Sequence, residues 1–429
     1  VGLLDSLHYR PRLQTEAKDA KIVYAVEVKS ALDALLDPLR SRREKTYSAP
    51  LATELFARET IERADGSQVR DYPRLKFGGA HLKDPAAAWL PDIARAAVGG
   101  VASGAVLWML VALFVAALLA QSDGQNIQRS WSAIWRGETP APWRAVLTTL
   151  FAVFVAGGAA AALAVNYHVL GTDKVGQDVL YLTLKSIRTA LVIGTLTTLV
   201  MLPFALALGI AAGYFGGWVD DAIQYLYTTL NSIPGVLLIA AAVLMMQVYI
   251  DTHPEIFPTA AQRADLRLLF LCIILGVTSW TGLCRLLRGE ALKLKELEYI
   301  QAAHAFGVHH HRIISRHILP NVMHIVLISV VMEFSGLVLA EAVLSYVGVG
   351  VDPSMNSFGT MINNARLEMA REPMVWWSLA AAFVFMVTLV LAANLFADAV
   401  RDAFDPRVRT SLQALRRRKP LPVAAKAVA

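Results

Sequence analysis

Charged side chains are scarce in this 429-residue chain: Asp, Glu, Lys and Arg make up 17% of it, where soluble domains carry about 25%. Intrinsic disorder needs high charge and little apolar content, so it is excluded. A coiled coil and a collagen-like fibre fail on composition as well. Cysteine is nearly absent, which removes a disulfide-stapled secreted module. The only two, Cys272 and Cys284, share one apolar run and would stand about 18 Å apart along a helix, too far to bridge. Apolar residues fill the gap at 56%, with a mean hydropathy of +0.48, and an integral membrane protein is what remains. The net charge of +6 and pI near 9.3 would also suit a nucleic-acid binder, but membrane proteins collect basic residues in cytoplasmic loops. No nucleic-acid partner is expected.

A spanning helix takes about 20 mostly apolar residues, because nothing in the bilayer core satisfies an open backbone. Seven runs qualify: 93–120, 143–165, 187–212, 222–250, 266–287, 322–347 and 376–399. Pro203 and Pro234 predict kinks in the third and fourth. The region from the end of the fifth run to the sixth carries Arg285, Arg288, Lys293, Lys295, Arg312 and Arg316, and the segment after the seventh carries Arg401 and a further basic cluster at 407–426. Both are expected in the cytoplasm. Segments 253–265 and 349–373 contain only Arg263, Arg366 and Arg371 and belong on the opposite side.

Counting back from a cytoplasmic tail places residue 1 outside. Residues 1–92 hold 15 Lys and Arg against 14 Asp and Glu, a near-neutral balance compatible with translocation. Two alternatives stay open: an upstream span precedes Val1, or one of the first two runs does not cross. The expected organisation is an extramembrane N-terminal segment (1–92), two hydrophobic helices (93–165), an extracytoplasmic connecting loop (166–186), a transmembrane core (187–400) with a cytoplasmic loop at 288–320, and a basic cytoplasmic tail (401–429). Within the first segment, Asp65-Gly66 and Gly78-Gly79 mark turns and 28–39 is a short amphipathic stretch.

The cytoplasmic loop holds the most informative pattern. Leu294, Leu297, Tyr299, Ile300, Ala303 and Phe306 recur at helical spacing beside Lys295, Glu296 and Glu298, predicting an amphipathic helix over 296–306. Gly307 then stops it by taking positive φ. A second helical stretch leads to Pro320. Small residues at Ala302 and Ala303 would let a partner's surface approach closely, as in helix-in-groove recognition. The plainer alternative is a helix that packs against its own bundle.

The run Tyr299-Ile-Gln-Ala-Ala-His-Ala-Phe-Gly307, followed by His317-Ile-Leu-Pro320-Asn321, resembles the EAA loop of permease subunits of ATP-binding-cassette importers, particularly the dipeptide and oligopeptide branch. Gln301 stands where that family carries the glutamate that names the loop. His168-Val-Leu-Gly171-Thr-Asp173-Lys-Val-Gly176-Gln-Asp178 resembles the branch's LGTD-x-x-GRD signature, with Gln177 in place of arginine. Gly213 to Asp220, Glu341 to Gly350 and Arg401 to Pro406 match in the same order along the chain. The resemblance covers about 166–407. It implies an all-α membrane protein with the type I ABC importer transmembrane fold, a core of five to six spanning helices, here with an additional N-terminal hydrophobic helix and an extramembrane segment. It further implies a second permease, two cytoplasmic ATP-binding subunits, an extracytoplasmic substrate-binding protein and a peptide substrate in a bacterial inner membrane. Glu298, Tyr299, Gln301, Ala302, Ala303, Gly307, His317, Leu319 and Pro320 would couple to the ATPase; Gly171, Asp173, Gly176 and Asp178 mark the signature loop.

Other chemistries fit less well. Six histidines (His304, His309, His310, His311, His317, His324) fall close together, but consecutive side chains diverge on a helix and no acidic or cysteine ligand completes a metal site. Gly171 to Gly176 has a phosphate loop's glycine spacing, yet Gln177-Asp178 replaces the required Lys and Ser or Thr. Neither GxSxG nor HExxH occurs, so no enzyme activity, cofactor or metal is expected of this chain. Glu333, Glu341 and Ser345 are candidates for the translocation pathway, since carboxylates at membrane depth are costly, and Gly336 between them would allow close helix approach. The competing function is a proton-coupled secondary transporter using Glu333 and Glu341.

Overall fold

The computed structural model describes residues 13–14, 23–24, 31–62, 68–139, 141–253, 255–256 and 260–404. The Asp65-Gly66 turn and the basic residues from 407 onward lie outside the described residues. β1 (Leu13–Gln14) pairs antiparallel with β2 (Val23–Tyr24). Short helices α1 (Ala31–Leu35) and α2 (Asp37–Arg40) follow, where one stretch over 28–39 was expected. A hairpin of β3 (Glu59–Glu62) and β4 (Gln68–Asp71), with Glu59 opposite Asp71, completes the strands. The helices are then α3 (Pro85–Asp123), α4 (Ile127–Arg136), α5 (Trp143–Ala164), α6 (Val179–Phe215), α7 (Gly217–Ser232), α8 (Gly235–Thr252), α9 (Ala260–Ser279), α10 (Thr281–Lys295), α11 (Glu298–Ala305), α12 (His310–Ile313), a π-turn (Ile314–Ile318), α13 (Leu319–Val347), α14 (Phe358–Glu368) and α15 (Trp377–Phe404).

Seven stretches among the described residues are long and apolar enough to span: Ala87–Asp123, Trp143–Ala164, Val179–Phe215, Gly235–Thr252, Gln262–Lys295, His310–Val347 and Trp377–Ala403. The fourth run departs from its expected form. Instead of one kinked helix over 222–250, the chain breaks: α7 ends at Ser232, Ile233 is extended (φ −91°, ψ 132°), and α8 restarts after Pro234. Proline offers no N–H and pushes the preceding residue out of the helical region, so the i−4 ladder stops here. Only α8 then has spanning character. Helix α4 lies between the first two runs, where the sequence pattern marks no element, and the connecting loop is shorter than 166–186 because α6 already starts at Val179.

Contacts divide the chain into two compact units, Lys29–Leu184 with Leu367–Ala381, and Val1–Val28, Lys185–Arg366 with Ala382–Ala429. In the first, α3 and α5 pack backbone to backbone. A Cβ at Gly104 would collide with the Phe154 carbonyl oxygen, and one at Gly158 with that of Gly100; the spacing Gly100-x-x-x-Gly104 is the small-residue pattern of close membrane helix pairs. Gly104→Leu is expected to lower stability by about 1–3 kcal/mol through overpacking, seen as a reduced unfolding temperature in detergent. An unchanged transition would count against this close approach.

In the second unit, one buried cluster gathers Met201, Ala205, Tyr214, Leu283, Leu287, Ile300, Ile313, Ile318 and Val322 from α6, α10, α11, α12, the π-turn and α13. Another joins Ile193, Ile239, Leu271, Leu275 and Leu344. Arg267 bridges Asp251 and Asp352, each at 2.7 Å. Both cysteines are buried and free.

Candidate functional site

Helix α11 begins after Leu297, which is extended (φ −72°, ψ 137°), and places Glu298 in its first turn, where a carboxylate complements the helix dipole. Ile300 alone on this helix is buried, at 2% exposure. Phe306, directly after it, is 87% exposed. At the far end Gly307 adopts φ +71°, its N–H donates to His304 O at 3.0 Å and the Val308 N–H donates to Ala303 O at 3.1 Å. These two bonds form the Schellman closure that glycine favours. Ala302 is exposed, but Ala303 packs against the unit's own core, so only one of the two small residues is open to a partner. Gln301 Nε2 donates to Glu296 O and to Glu296 Oε2, both at 3.3 Å.

The second half of the loop enters the membrane through the π-turn. Pro320 has no N–H to give residue 316, and the helix widens at this step before α13. Asn321 Nδ2 donates to Tyr299 Oη at 3.2 Å and to His317 O at 2.6 Å, while the Tyr299 and His317 rings lie 5.9 Å apart. Tyr299, His317, Leu319 and Pro320 are thereby gathered at one end of the loop. Asn321 is the tie that the motif's spacing did not identify.

Two further contacts hold the loop to its neighbours. Tyr214 Oη, on α6, lies 2.8 Å from His310 Nδ1. Arg288 on α10 grips Asp220 on α7 through both carboxylate oxygens, at 2.5 and 2.7 Å, and its hydrogen bonds hold the Asp220 carboxyl below the usual range. Neither partner was singled out as a pair in the sequence, because they are 68 residues apart. Asp220→Asn is expected to destabilise by about 1–3 kcal/mol, since a bidentate ion pair becomes a single bond from the still-charged Arg288 to a neutral amide oxygen; Arg288→Met combined with Asp220→Leu should recover much of that loss. Thermal unfolding of the three variants checks both statements. Among the described residues no cluster of three or more His, Cys, Asp or Glu is placed to hold a metal.

The signature loop forms a second constellation, in the other unit. Asp178 Oδ1 accepts the Leu180 and Tyr181 N–H groups at 2.8 and 3.3 Å, capping α6. Its other oxygen lies 2.8 Å from His168 Nδ1, and His168 Nε2 faces Glu44 Oε1 at 3.4 Å. Glu44 also accepts backbone N–H groups of Lys76, Phe77 and Gly78. Burial alone would lower the His168 pKa, but the two carboxylates outweigh it and hold the value at about 9. Asp173 Oδ1 accepts from Val175 and Gln177 N–H; Gly171 and Gly176 take positive φ, and a Cβ on Gly176 would collide with Glu44 O. Backbone bonds from Glu44 to Gly176, Thr172 to Ser48 and Leu51 to His168 lace the N-terminal segment to this loop. The Trp377 indole donates to Thr172 O at 3.0 Å and Tyr47 Oη to Glu368 Oε1 at 3.0 Å.

The pathway candidates separate. Ser345 Oγ donates to Glu341 Oε1 at 2.6 Å and accepts the Val351 N–H at 3.2 Å, with Glu341 and Ser345 at 1% and 2% exposure. They close the end of α13 inside the unit. Glu333 is half-buried. Gly336 makes no close helix contact, as a Cβ there would meet nothing within 4 Å.

Residues 205–410 match the family described as binding-protein-dependent transport system inner membrane component. The oligopeptide transport system permease protein OppC of Mycobacterium tuberculosis H37Rv is 32% identical over 249 residues, 58% of this chain and 79% of that protein. The glutathione transport system permease protein GsiD of Pectobacterium atrosepticum is 32% identical over 57% of this chain and 74% of its own length. The dipeptide transport system permease protein DppC of Bacillus subtilis is 28% identical over 56% and 69%. A chain of the inward-facing MetNI methionine ABC transporter aligns over 53% of this chain and 97% of its own at 16% identity and a TM-score of 0.37, too distant for comparing helix positions. Neither the relatives nor the geometry favours a proton-coupled carrier. With seven membrane-spanning candidates and this match, the chain belongs to the family of binding-protein-dependent transport system inner membrane components and is a multi-pass protein of the bacterial inner membrane.

Proposed function

We propose that the chain is one of two permeases lining an ATP-driven import pathway for di- and oligopeptides, with α11 docked in a cytoplasmic ATPase subunit. The observation that carries this reading is the form of α11: it keeps one residue, Ile300, in its own core, leaves Tyr299 and Phe306 exposed at 47% and 87%, and is held at both ends by Gly307 and by the Tyr299–Asn321 bond. A short apolar-tipped helix anchored rigidly to two spans is suited to pass a partner's movement into the membrane. The peptide class is supported by the relatives, named for oligopeptide, dipeptide and glutathione transport. ATP hydrolysis is assigned to separate subunits and substrate delivery to an extracytoplasmic binding protein.

Sidedness follows from crossing parity. Residues 44–51 bond to 168–176, so both lie on one face, and α3 and α5 between them cross as a pair. Three candidate spans separate that face from α11, which supports a position for α11 on the opposite side, and its basic surroundings favour the cytoplasm. The test is purification of the tagged chain from its host in mild detergent. Nucleotide-binding subunits should co-purify, and the assembled complex with its binding protein should import a radiolabelled peptide into proteoliposomes in an ATP-dependent manner; a chain that purifies alone would refute the reading.

A further inference from the structure

Glu333 stands at the midpoint of α13, fourteen residues from Leu319 and from Val347, or about 21 Å of helix from each end. Among the described residues it has no hydrogen-bond or ion-pair partner, whereas Glu341 on the same helix is bound by Ser345. An unpartnered carboxylate at membrane depth is too costly to face lipid, so this side of α13 faces the interior of the assembly or an aqueous path. Two glycines leave the carboxylate accessible. A Cβ on Gly282, an exposed residue of α10, would sit 3.6 Å from Glu333 Oε1, and Gly336, one helical turn along α13, is exposed with open space beside it. Thr281, next to Gly282, donates to Asn231 Oδ1 at 3.2 Å, and Asn231 lies just before the α7–α8 break at Ile233–Pro234. A second helix junction, between α9 and α10, falls at Trp280. The α9–α10 junction falls inside the spanning stretch Gln262–Lys295, and an interrupted span beside a carboxylate at membrane depth is where transporters form substrate sites.

We propose that Glu333 is the point in the pathway that receives the ammonium group of the transported solute, in the notch between Gly282 and Gly336; this rests on the peptide reading above. A single carboxylate with open space beside it suits an ammonium group. It is too few charged ligands for a divalent cation. The N-terminus of a peptide meets that description, and an N-acetylated peptide does not.

The complete complex, reconstituted with its binding protein at saturation, tests this with trialanine and N-acetyl-trialanine as probes. Glu333→Gln should reduce trialanine uptake about tenfold or more, the loss of one charge-assisted bond, Glu333→Asp should recover part of it, and Gly336→Leu, which fills the notch without touching the carboxylate, should reproduce the loss. N-acetyl-trialanine uptake should be slow and insensitive to Glu333→Gln. Unchanged trialanine uptake in Glu333→Gln overturns the assignment. So does equal loss of both peptides together with failure of the subunits to co-purify, which would make Glu333 the partner of a cation on the second permease. A wild-type complex that moves neither peptide overturns the peptide reading itself, and the assignment with it.

Discussion

Gly307→Val is expected to abolish transport while the protein still inserts in the membrane. The residue holds φ +71°, a region that costs an L-residue about 1–2 kcal/mol and a β-branched one more. Nothing crowds the position, since an added Cβ would meet no atom within 4 Å, so the effect acts through the backbone and not through the core. Relaxing φ breaks the bonds from Gly307 to His304 and Val308 to Ala303. Helix α11 has eight residues and one buried side chain, too little to hold an isolated helix, and its C-terminal turn would unwind or swing away from its present position. The spanning helices do not depend on that turn. Uptake should fall to background with normal amounts in the membrane fraction, and co-purification of the ATPase should weaken. Gly307→Asn, which tolerates left-handed φ, should retain part of the activity. Full uptake by Gly307→Val would sink the coupling role of α11.

Legibility differed by kind of feature. Spans were readable because twenty apolar residues in a row have few other uses, and each of the seven runs overlaps a spanning stretch. The glycine that ends α11 is readable because few residue types other than glycine take that left-handed turn. Pro234 predicts a kink, but with Asp220, Asp221, Gln224 and Asn231 preceding it α7 lacks spanning character, and the chain breaks there instead. Long-range partners were not readable. Arg288 with Asp220, Asn321 with Tyr299, and Glu44 with His168 are each set by tertiary approach and leave no periodic trace. The pair Glu333 and Glu341 looked equivalent at a spacing of eight residues. The neighbours separate them, because Ser345 claims one carboxylate and two glycines bare the other.

Raising the pH is expected to loosen the joint that His168 holds between Glu44 and Asp178. With a folded pKa of about 9 against 6.5 unfolded, the protonated ring contributes stability that is full below pH 6.5 and lost as pH rises through 9. A separation of that size corresponds to about 3 kcal/mol for this buried ring. Glu44 acts in the opposite sense: burial raises its pKa, but hydrogen bonds from His168 and from the Lys76, Phe77 and Gly78 amides bring it below 4.5, so its contribution is present above 4.5 and lost on acidification. The joint between the N-terminal segment and the signature loop is therefore strongest between pH 4.5 and 6.5. Hydrogen exchange of residues 44–51 in the detergent-solubilised complex should quicken from pH 6.5 to 9 beyond the intrinsic rate change. His168→Gln should remove that extra dependence and weaken the joint at neutral pH, because Glu44 and Asp178 then face each other's charge without a cation between them. Glu44→Gln removes one of the two carboxylates that raise the ring and should move the loss to lower pH. Identical pH profiles for wild type and His168→Gln would mean that the ring is neutral in the fold, and the joint would then rest on the backbone bonds of 44–51 alone.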